Sequence, residues 1–71
     1  KSVSTGIAND QYITLSSLGS GDDTFTADEA IEACEAVRLA FQDRQPELQV
    51  EVLNGETVVA TGSAGVACTL A

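Results

Sequence analysis

The sequence predicts an α+β fold in which one amphipathic helix packs on a small, mainly antiparallel sheet, in the order β-α-β-β-β. Three observations predict it: a capped amphipathic segment within residues 24–45, an Asn54-Gly55 pair between two alternating segments, and further alternation near both ends of the chain. A chain of 71 residues suffices for one small two-layer sandwich. We therefore expect a single domain over residues 1–71.

The N-terminal segment KSVSTGIANDQ, residues 1–11, is polar apart from a few residues, of which Val3 and Ile7 are the larger apolar ones. We expect an irregular arm anchored by those two side chains. The first strand is predicted at residues 12–18, YITLSSL, where apolar and polar residues alternate and β-branched residues occur. Glycine and aspartate residues at 19–23 then predict a flexible loop.

The helix is predicted from its start signal and its apolar stripe. Thr26 and Glu29 are spaced as a capping box, which satisfies amide groups left free at a helix N-terminus. Phe25 has the position of a hydrophobic staple, and Pro46 ends the segment because proline disfavours helical geometry in the residue before it. At about 100° per residue, one stripe contains Ala27, Ala30, Ile31, Cys34, Val37 and Phe41.

A hairpin is predicted after the helix. The segment LQVEVL, residues 48–53, alternates, and Asn54 with Gly55 forms the pair that favours a two-residue type I′ turn. This turn sets Val52 opposite Thr57. The face predicted to meet the core contains Leu48, Val50 and Val52.

A last short strand, VACTL, is predicted at residues 66–70, with Val66, Cys68 and Leu70 on one face. The position of the first strand in the sheet stays open. A split arrangement, in which another strand lies between the first strand and the hairpin, fits the element order.

The charge of the chain argues against two modes of binding. Eleven acidic and three basic residues give a formal net charge of −8. This charge repels phosphate backbones and anionic lipid, so we expect no nucleic-acid binding and no simple electrostatic adsorption to membranes. Mutual repulsion predicts raised pKa values for several of six acids, although the helix dipole opposes this in the first turn. The six fall within fourteen residues that contain no base: Asp22, Asp23, Asp28, Glu29, Glu32 and Glu35.

The two cysteines, Cys34 and Cys68, are poor candidates for chemistry. A zinc site needs about four ligands, and the chain has no histidine to complete one. A catalytic thiol needs a base or a positive environment, whereas Cys34 lies among acidic residues. Redox pairs usually lie close in sequence, and these two are 34 positions apart.

A structural disulfide between Cys34 and Cys68 is therefore predicted, with two buried thiols as the alternative. Both residues lie on faces that must meet the core, so a bridge would fix the last strand beneath the helix. Closing such a loop removes denatured-state entropy worth about 4 kcal/mol in the chain-entropy treatment. That is comparable to the whole stability expected of so small a core.

We predict no metal, no cofactor and no enzymatic activity. The acids of residues 22–29 do not have the spacing of a calcium-binding loop, and acids at a helix N-terminus are explained by its dipole. The serines near residues 16–20 have no histidine anywhere in the chain to activate them.

The sequence favours a secreted protein that acts by binding. The chain begins at Lys1 and contains no methionine, so we expect a processed product or an excised fragment. Processing together with an even number of cysteines favours secretion. Some apolar side chains exceed what one helix can cover, and they are either contacts for a protein partner or scattered surface residues: Leu39, Leu53, Val58 and Ala60.

At the level of architecture, residues 12–70 resemble one subunit of the yeast and fungal killer toxins, which are small, acidic, proteolytically matured α/β sandwich proteins. The resemblance implies a secreted toxin or effector that acts by binding a target protein or a membrane, in some members as one of two chains. It assigns no site residues. The alternative is a non-toxic binding module, either a protease inhibitor with an exposed loop at 19–23 or 62–65, or an excised domain of a larger extracellular protein.

Overall fold

The computed structural model describes residues 3–8, 11–19 and 24–71, which form one helix on a five-stranded sheet. The elements in chain order are β1 (Val3–Ala8), β2 (Tyr12–Ser17), α1 (Ala27–Phe41), β3 (Gln49–Asn54), β4 (Thr57–Ser63) and β5 (Val66–Leu70). The predicted α+β sandwich, with a helix packed on a mostly antiparallel sheet, is confirmed.

Residues 3–8 form an edge strand, so the prediction of an irregular N-terminal arm is wrong for this part of the chain. β1 pairs with β2 in antiparallel orientation, and Thr5 lies opposite Leu15. The β-branched residues Val3, Thr5 and Ile7 recur at every second position, which is the strand period. The serine and glycine between them weaken that pattern, and pairing with β2 compensates by satisfying backbone groups.

The strands follow chain order in the sheet, β1-β2-β3-β4-β5, and β2 and β3 are parallel. No other strand separates β2 from β3, so the split arrangement considered from the sequence is wrong. A parallel pair requires a long crossover connection, and α1 provides it. The helix packs on β3, β4 and β5, which displaces the helical layer toward one side of the sheet.

The predicted capping box at the start of α1 is confirmed. The Glu29 backbone N–H donates to Thr26 Oγ1 at 3.2 Å, and the Thr26 N–H donates to Glu29 Oε1 at 3.0 Å. The helix ends at Phe41, several residues before Pro46. There Phe41 O accepts from the Arg44 N–H at 3.0 Å, which is an i→i−3 turn bond, and from the Gln45 N–H at 2.9 Å. The chain thus leaves the helix through a turn before the proline is reached.

The core lies between α1 and the centre of the sheet. From the predicted helical stripe, Ala30 and Cys34 are buried and Ala27 is exposed. The predicted core face of residues 48–53 is confirmed. The buried apolar residues are Ile13, Ala30, Cys34, Leu48, Val50, Val52, Ala60 and Ala64.

The hairpin turn is shifted by one residue from the predicted position. Asn54 is paired with Thr57, so the two-residue turn consists of Gly55 and Glu56. Gly55 has a φ of 61°, in the left-handed region that glycine enters without a steric penalty.

A β-bulge changes the register further along the same hairpin. The register shifts between Val52 and Leu53, and Val52 lies opposite Ala60 rather than Thr57 as predicted. Because Val52 faces α1, its neighbour Ala60 does so too, and it is fully buried. The prediction of Ala60 as a partner contact is therefore wrong.

Candidate functional site

The predicted disulfide between Cys34 and Cys68 is confirmed and cross-links α1 to β5. The two Cα atoms are 6.1 Å apart. Cys34 lies in the middle of α1 and is fully buried, whereas Cys68 lies on the edge strand β5 and is half-buried. The bond attaches an edge strand to the helix above it, and it leaves no free thiol in the chain.

Gly62 makes room for this disulfide. A Cβ atom at this position would lie 2.5 Å from Cys68 Sγ, 3.0 Å from Cys34 Sγ and 3.0 Å from Cys68 Cα. Any side chain at residue 62 would therefore collide with the cross-link. The sequence predicts Gly62 at the end of a return strand, ETVVATG, and at the start of the loop 62–65. In the structure it lies inside β4, where an isolated glycine is a known sign of close approach by another group.

A second link between the helix and β5 was not predicted. Glu35, on α1, accepts a hydrogen bond from the Cys68 backbone N–H at 3.0 Å. It also forms a two-point ion pair with Arg38, in which Arg38 Nε bonds Glu35 Oε2 and Nη2 bonds Oε1 at 2.9 Å. Arg38 Nη1 lies 3.5 Å from Ala64 O, so the pair also reaches the β4–β5 turn.

These contacts lower the pKa of Glu35 to about 2, mainly through the hydrogen bond from Arg38 and next through the one from the Cys68 N–H. The expectation that crowding among acids raises the pKa is therefore wrong for Glu35. A spacing of three residues between Glu35 and Arg38 is a helical ion-pair signal that could have been recognised from the sequence.

The Asn54 side chain links three segments of the chain through hydrogen bonds. Its Oδ1 accepts from the Phe25 N–H at 2.7 Å and from Ser17 Oγ at 3.0 Å. Its Nδ2 donates to Phe25 O at 3.0 Å. One side chain thus joins the end of β3, the end of β2 and the segment that enters α1.

The face of the sheet opposite α1, which we call the outer face, is the candidate binding surface. It carries mainly hydroxyl and amide groups, and the Glu51 carboxylate on it accepts a hydrogen bond from Tyr12 OH. A shallow depression of about 310 Å³ lies on this face between β3, β4 and β5. Within the described ranges, the outer face includes Tyr12, Thr14, Ser16, Gln49, Glu51, Leu53, Val58, Thr61, Ser63 and Thr69.

The predicted partner contacts are separated by the fold. Leu53 and Val58 are cross-strand neighbours on the outer face, and both are half-buried. Leu39 is 50 % exposed on α1, in the other layer, so it cannot belong to the same contact surface. With Ala60 buried, two of the four predicted residues lie together.

The part of the chain that the structure describes contains no cluster of three or more metal-ligating side chains. Among those same residues, no helix has the length and apolarity needed to span a membrane. Comparisons of the chain with protein-family models, with curated proteins and with solved structures find no match.

Proposed function

We propose that this chain is a secreted, disulfide-stabilised protein of the toxin or effector type that acts by binding another protein through its outer face. A second toxin chain, as in two-chain killer toxins, is one such protein partner. The observation that carries the proposal is the pairing of Leu53 with Val58 on a sheet face that α1 does not cover.

The distribution of charge supports this surface over the helical layer. Asp28, Glu29 and Glu32 are exposed on α1, where they would repel an acidic partner and hold a shell of counterions. Glu51 is the acid that the register assigns to the outer face, and it is already bonded to Tyr12. A partner can therefore approach the outer face with little desolvation of charge, which is the main polar cost of forming an interface.

The shape of the outer face supports a protein partner rather than a small molecule. Its depression of about 310 Å³ is open and lies at the small end of the range for ligand pockets. A sheet with one bare face is commonly covered by a second layer at a spacing of about 10 Å. A partner chain that supplies such a layer would bury Leu53 and Val58.

The inhibitor alternative has less support. One of its two candidate loops, residues 62–65, is a tight connection in which Ala64 is buried and its N–H donates to Leu48 O at 2.9 Å. Such a loop does not project toward a protease. Most of the other candidate, residues 19–23, lies outside the described residues.

A matched set of variants tests the proposal. Growth inhibition of a panel of yeast and fungal strains is measured for the wild-type protein and for Leu53→Lys, Val58→Lys and Leu39→Lys. We expect inhibition by the wild type, at least a tenfold loss for the two outer-face variants, and retained inhibition for Leu39→Lys on the helical layer. Absence of inhibition across the panel contradicts the toxin assignment. Equal loss in all three variants contradicts the choice of surface.

A further inference from the structure

The two edges of the sheet differ in how they are protected. At β5, the disulfide and the bond from the Cys68 N–H to Glu35 attach the strand to α1, so a backbone donor of this edge is already used. At β1, the neighbour on one side is β2, and the described residues provide no strand on the other side. The open edge of β1 therefore presents backbone N–H and C=O groups that can pair with another strand.

Apolar side chains of β1 lie next to this open edge. Val3 and Ile7 lie opposite Ser17 and Ile13, which are buried on the face that α1 covers. Opposed residues in an antiparallel pair point to the same face. Val3 and Ile7 are nevertheless 43 % and 67 % exposed, because α1 packs on β3, β4 and β5.

The usual devices against edge pairing are missing from this strand. Natural edges are commonly blunted by charged residues, by proline or by a covering segment. The strand Val3–Ala8, VSTGIA, contains no charged residue and no proline. The chain as a whole is acidic, which would favour a cationic partner. Because β1 carries no charge, its edge does not select a cationic peptide.

We propose that β1 pairs with β1 of a second copy of this chain, in antiparallel orientation about a two-fold axis at Thr5. The pairing joins two five-stranded sheets into one sheet of ten strands, with both helices on the same face. This surface is distinct from the outer face and goes beyond the proposed function.

In this register, the apolar residues of β1 lie opposite apolar residues of β1 in the second copy. With Thr5 opposite Thr5 of the second copy, Val3 lies opposite Ile7 of the second copy, and Ile7 lies opposite its Val3. The two-fold axis thus creates two identical apolar cross-strand pairs on the α1 side of the sheet, beyond the strands on which α1 packs. Such pairs are the unit of sheet stabilisation.

The charge distribution permits two copies to meet at this edge although each has a net charge of −8. The described residues of β1 and β2 carry no charge. In the joined sheet, Glu51 on β3 is five strand spacings from Glu51 of the second copy, about 24 Å at ordinary strand separation. This exceeds the Debye length of about 8 Å at physiological ionic strength. At β5, in contrast, the acidic helix lies beside the edge.

The interface is small. One strand edge and two apolar side chains per copy bury less than the roughly 800 Å² per partner of a standard interface. We therefore expect a weak dimer whose population depends on protein concentration.

Sedimentation velocity over a concentration series from micromolar to millimolar, at physiological salt, tests the proposal. We expect the wild type to shift from monomer to dimer. Ile7→Lys and Val3→Lys should each weaken association at least tenfold, because each places a charged lysine opposite an apolar side chain in both cross-strand pairs. The matched control is Val66→Lys on the other edge strand, where Val66 is 63 % exposed, and it should associate like the wild type. Leu53→Lys on the outer face should also associate like the wild type.

A wild type that remains monomeric throughout, or a Val66→Lys variant as impaired as Ile7→Lys, overturns the proposal. Circular dichroism verifies that each variant keeps the native spectrum. A second experiment does not depend on the lysine variants: oxidation of Thr5→Cys should yield a covalent dimer linked through residue 5, since opposed Cα atoms about 5 Å apart suit a disulfide. Ser4→Cys should not cross-link in this way. Absence of the residue-5 cross-link, or equal cross-linking of Ser4→Cys, also overturns the proposal.

Discussion

The Asn54 side chain binds both backbone groups of Phe25. Its Oδ1 accepts from the Phe25 N–H at 2.7 Å and its Nδ2 donates to the Phe25 C=O at 3.0 Å. An asparagine amide has the same donor and acceptor groups as a peptide unit, so Asn54 pairs with this segment as a neighbouring strand would. Phe25 immediately precedes the helix cap, and the contact therefore determines where α1 begins over the sheet.

Replacing Asn54 with alanine should lower the free energy of unfolding by about 1–3 kcal/mol, because the hydrogen bonds from Asn54 to the partly buried Phe25 groups are lost. The matched control is Thr57→Ala, since Thr57 is exposed and lies directly opposite Asn54. It should change stability by no more than about 0.5 kcal/mol. Urea denaturation measures both values, and similar losses in the two variants would show that the amide contact is not the cause.

Gly62→Ala should destabilise the protein by about 1–3 kcal/mol, because the added methyl group meets both sulfur atoms of the disulfide. Gly65→Ala is the control, since a Cβ there meets nothing within 4 Å. In the Cys34→Ala/Cys68→Ala background the loss from Gly62→Ala should become smaller without vanishing, because Cys68 Cα also lies 3.0 Å from the added carbon. A loss of the same size in both backgrounds would mean that the sulfur atoms do not limit residue 62.

Removing the disulfide should cost about 4 kcal/mol of stability in the chain-entropy treatment, which is enough to unfold much of a domain of this size at 37 °C. The comparison is chemical denaturation of the wild type and of Cys34→Ala/Cys68→Ala. Intact mass of the untreated protein should be two hydrogens below that of the reduced chain. Two thiols that react with an alkylating agent in the untreated protein would contradict the cross-link.

Acid should weaken the fold through Glu35. Its pKa is lowered from 4.5 to about 2 in the folded protein, so the ionised form is stabilised by folding. The resulting stability is present above the unfolded pKa and is lost as the pH falls from about 4.5 through about 2. Over this pH range, the melting temperature of the wild type should fall more steeply with decreasing pH than that of Glu35→Gln.

Glu32→Gln is the control for this pH dependence. Glu32 lies on the same helix and is exposed. The melting temperature of the Glu32→Gln variant should fall with decreasing pH as steeply as that of the wild type. If Glu35→Gln melts like the wild type at every pH, the pair with Arg38 and the bond to Cys68 contribute nothing to acid stability.

Some features could be predicted because they depend on neighbours in sequence or on residue types that occur only twice in the chain. Thr26 and Glu29 are three residues apart, so their reciprocal bonds could be predicted from local spacing alone. The alternation of residues 48–53 fixes a core face whatever strand lies beside it. The disulfide could be predicted because the chain has two cysteines, both on faces directed at the core.

Apart from the disulfide, whose partners are the two cysteines of the chain, the features that depend on a distant partner were decided by the tertiary structure. The Phe25 groups that bind Asn54 are 29 residues away, and the Cys68 N–H that binds Glu35 is 33 residues away. The hairpin register depends on a bulge beside Val52 and on the pairing of Asn54 within β3. The residues next to them in sequence predict neither feature. β1 becomes a strand because β2 offers a free edge to it. Periodicity shows which face of a segment is apolar, whereas long-range hydrogen bonds and close packing determine which segments meet.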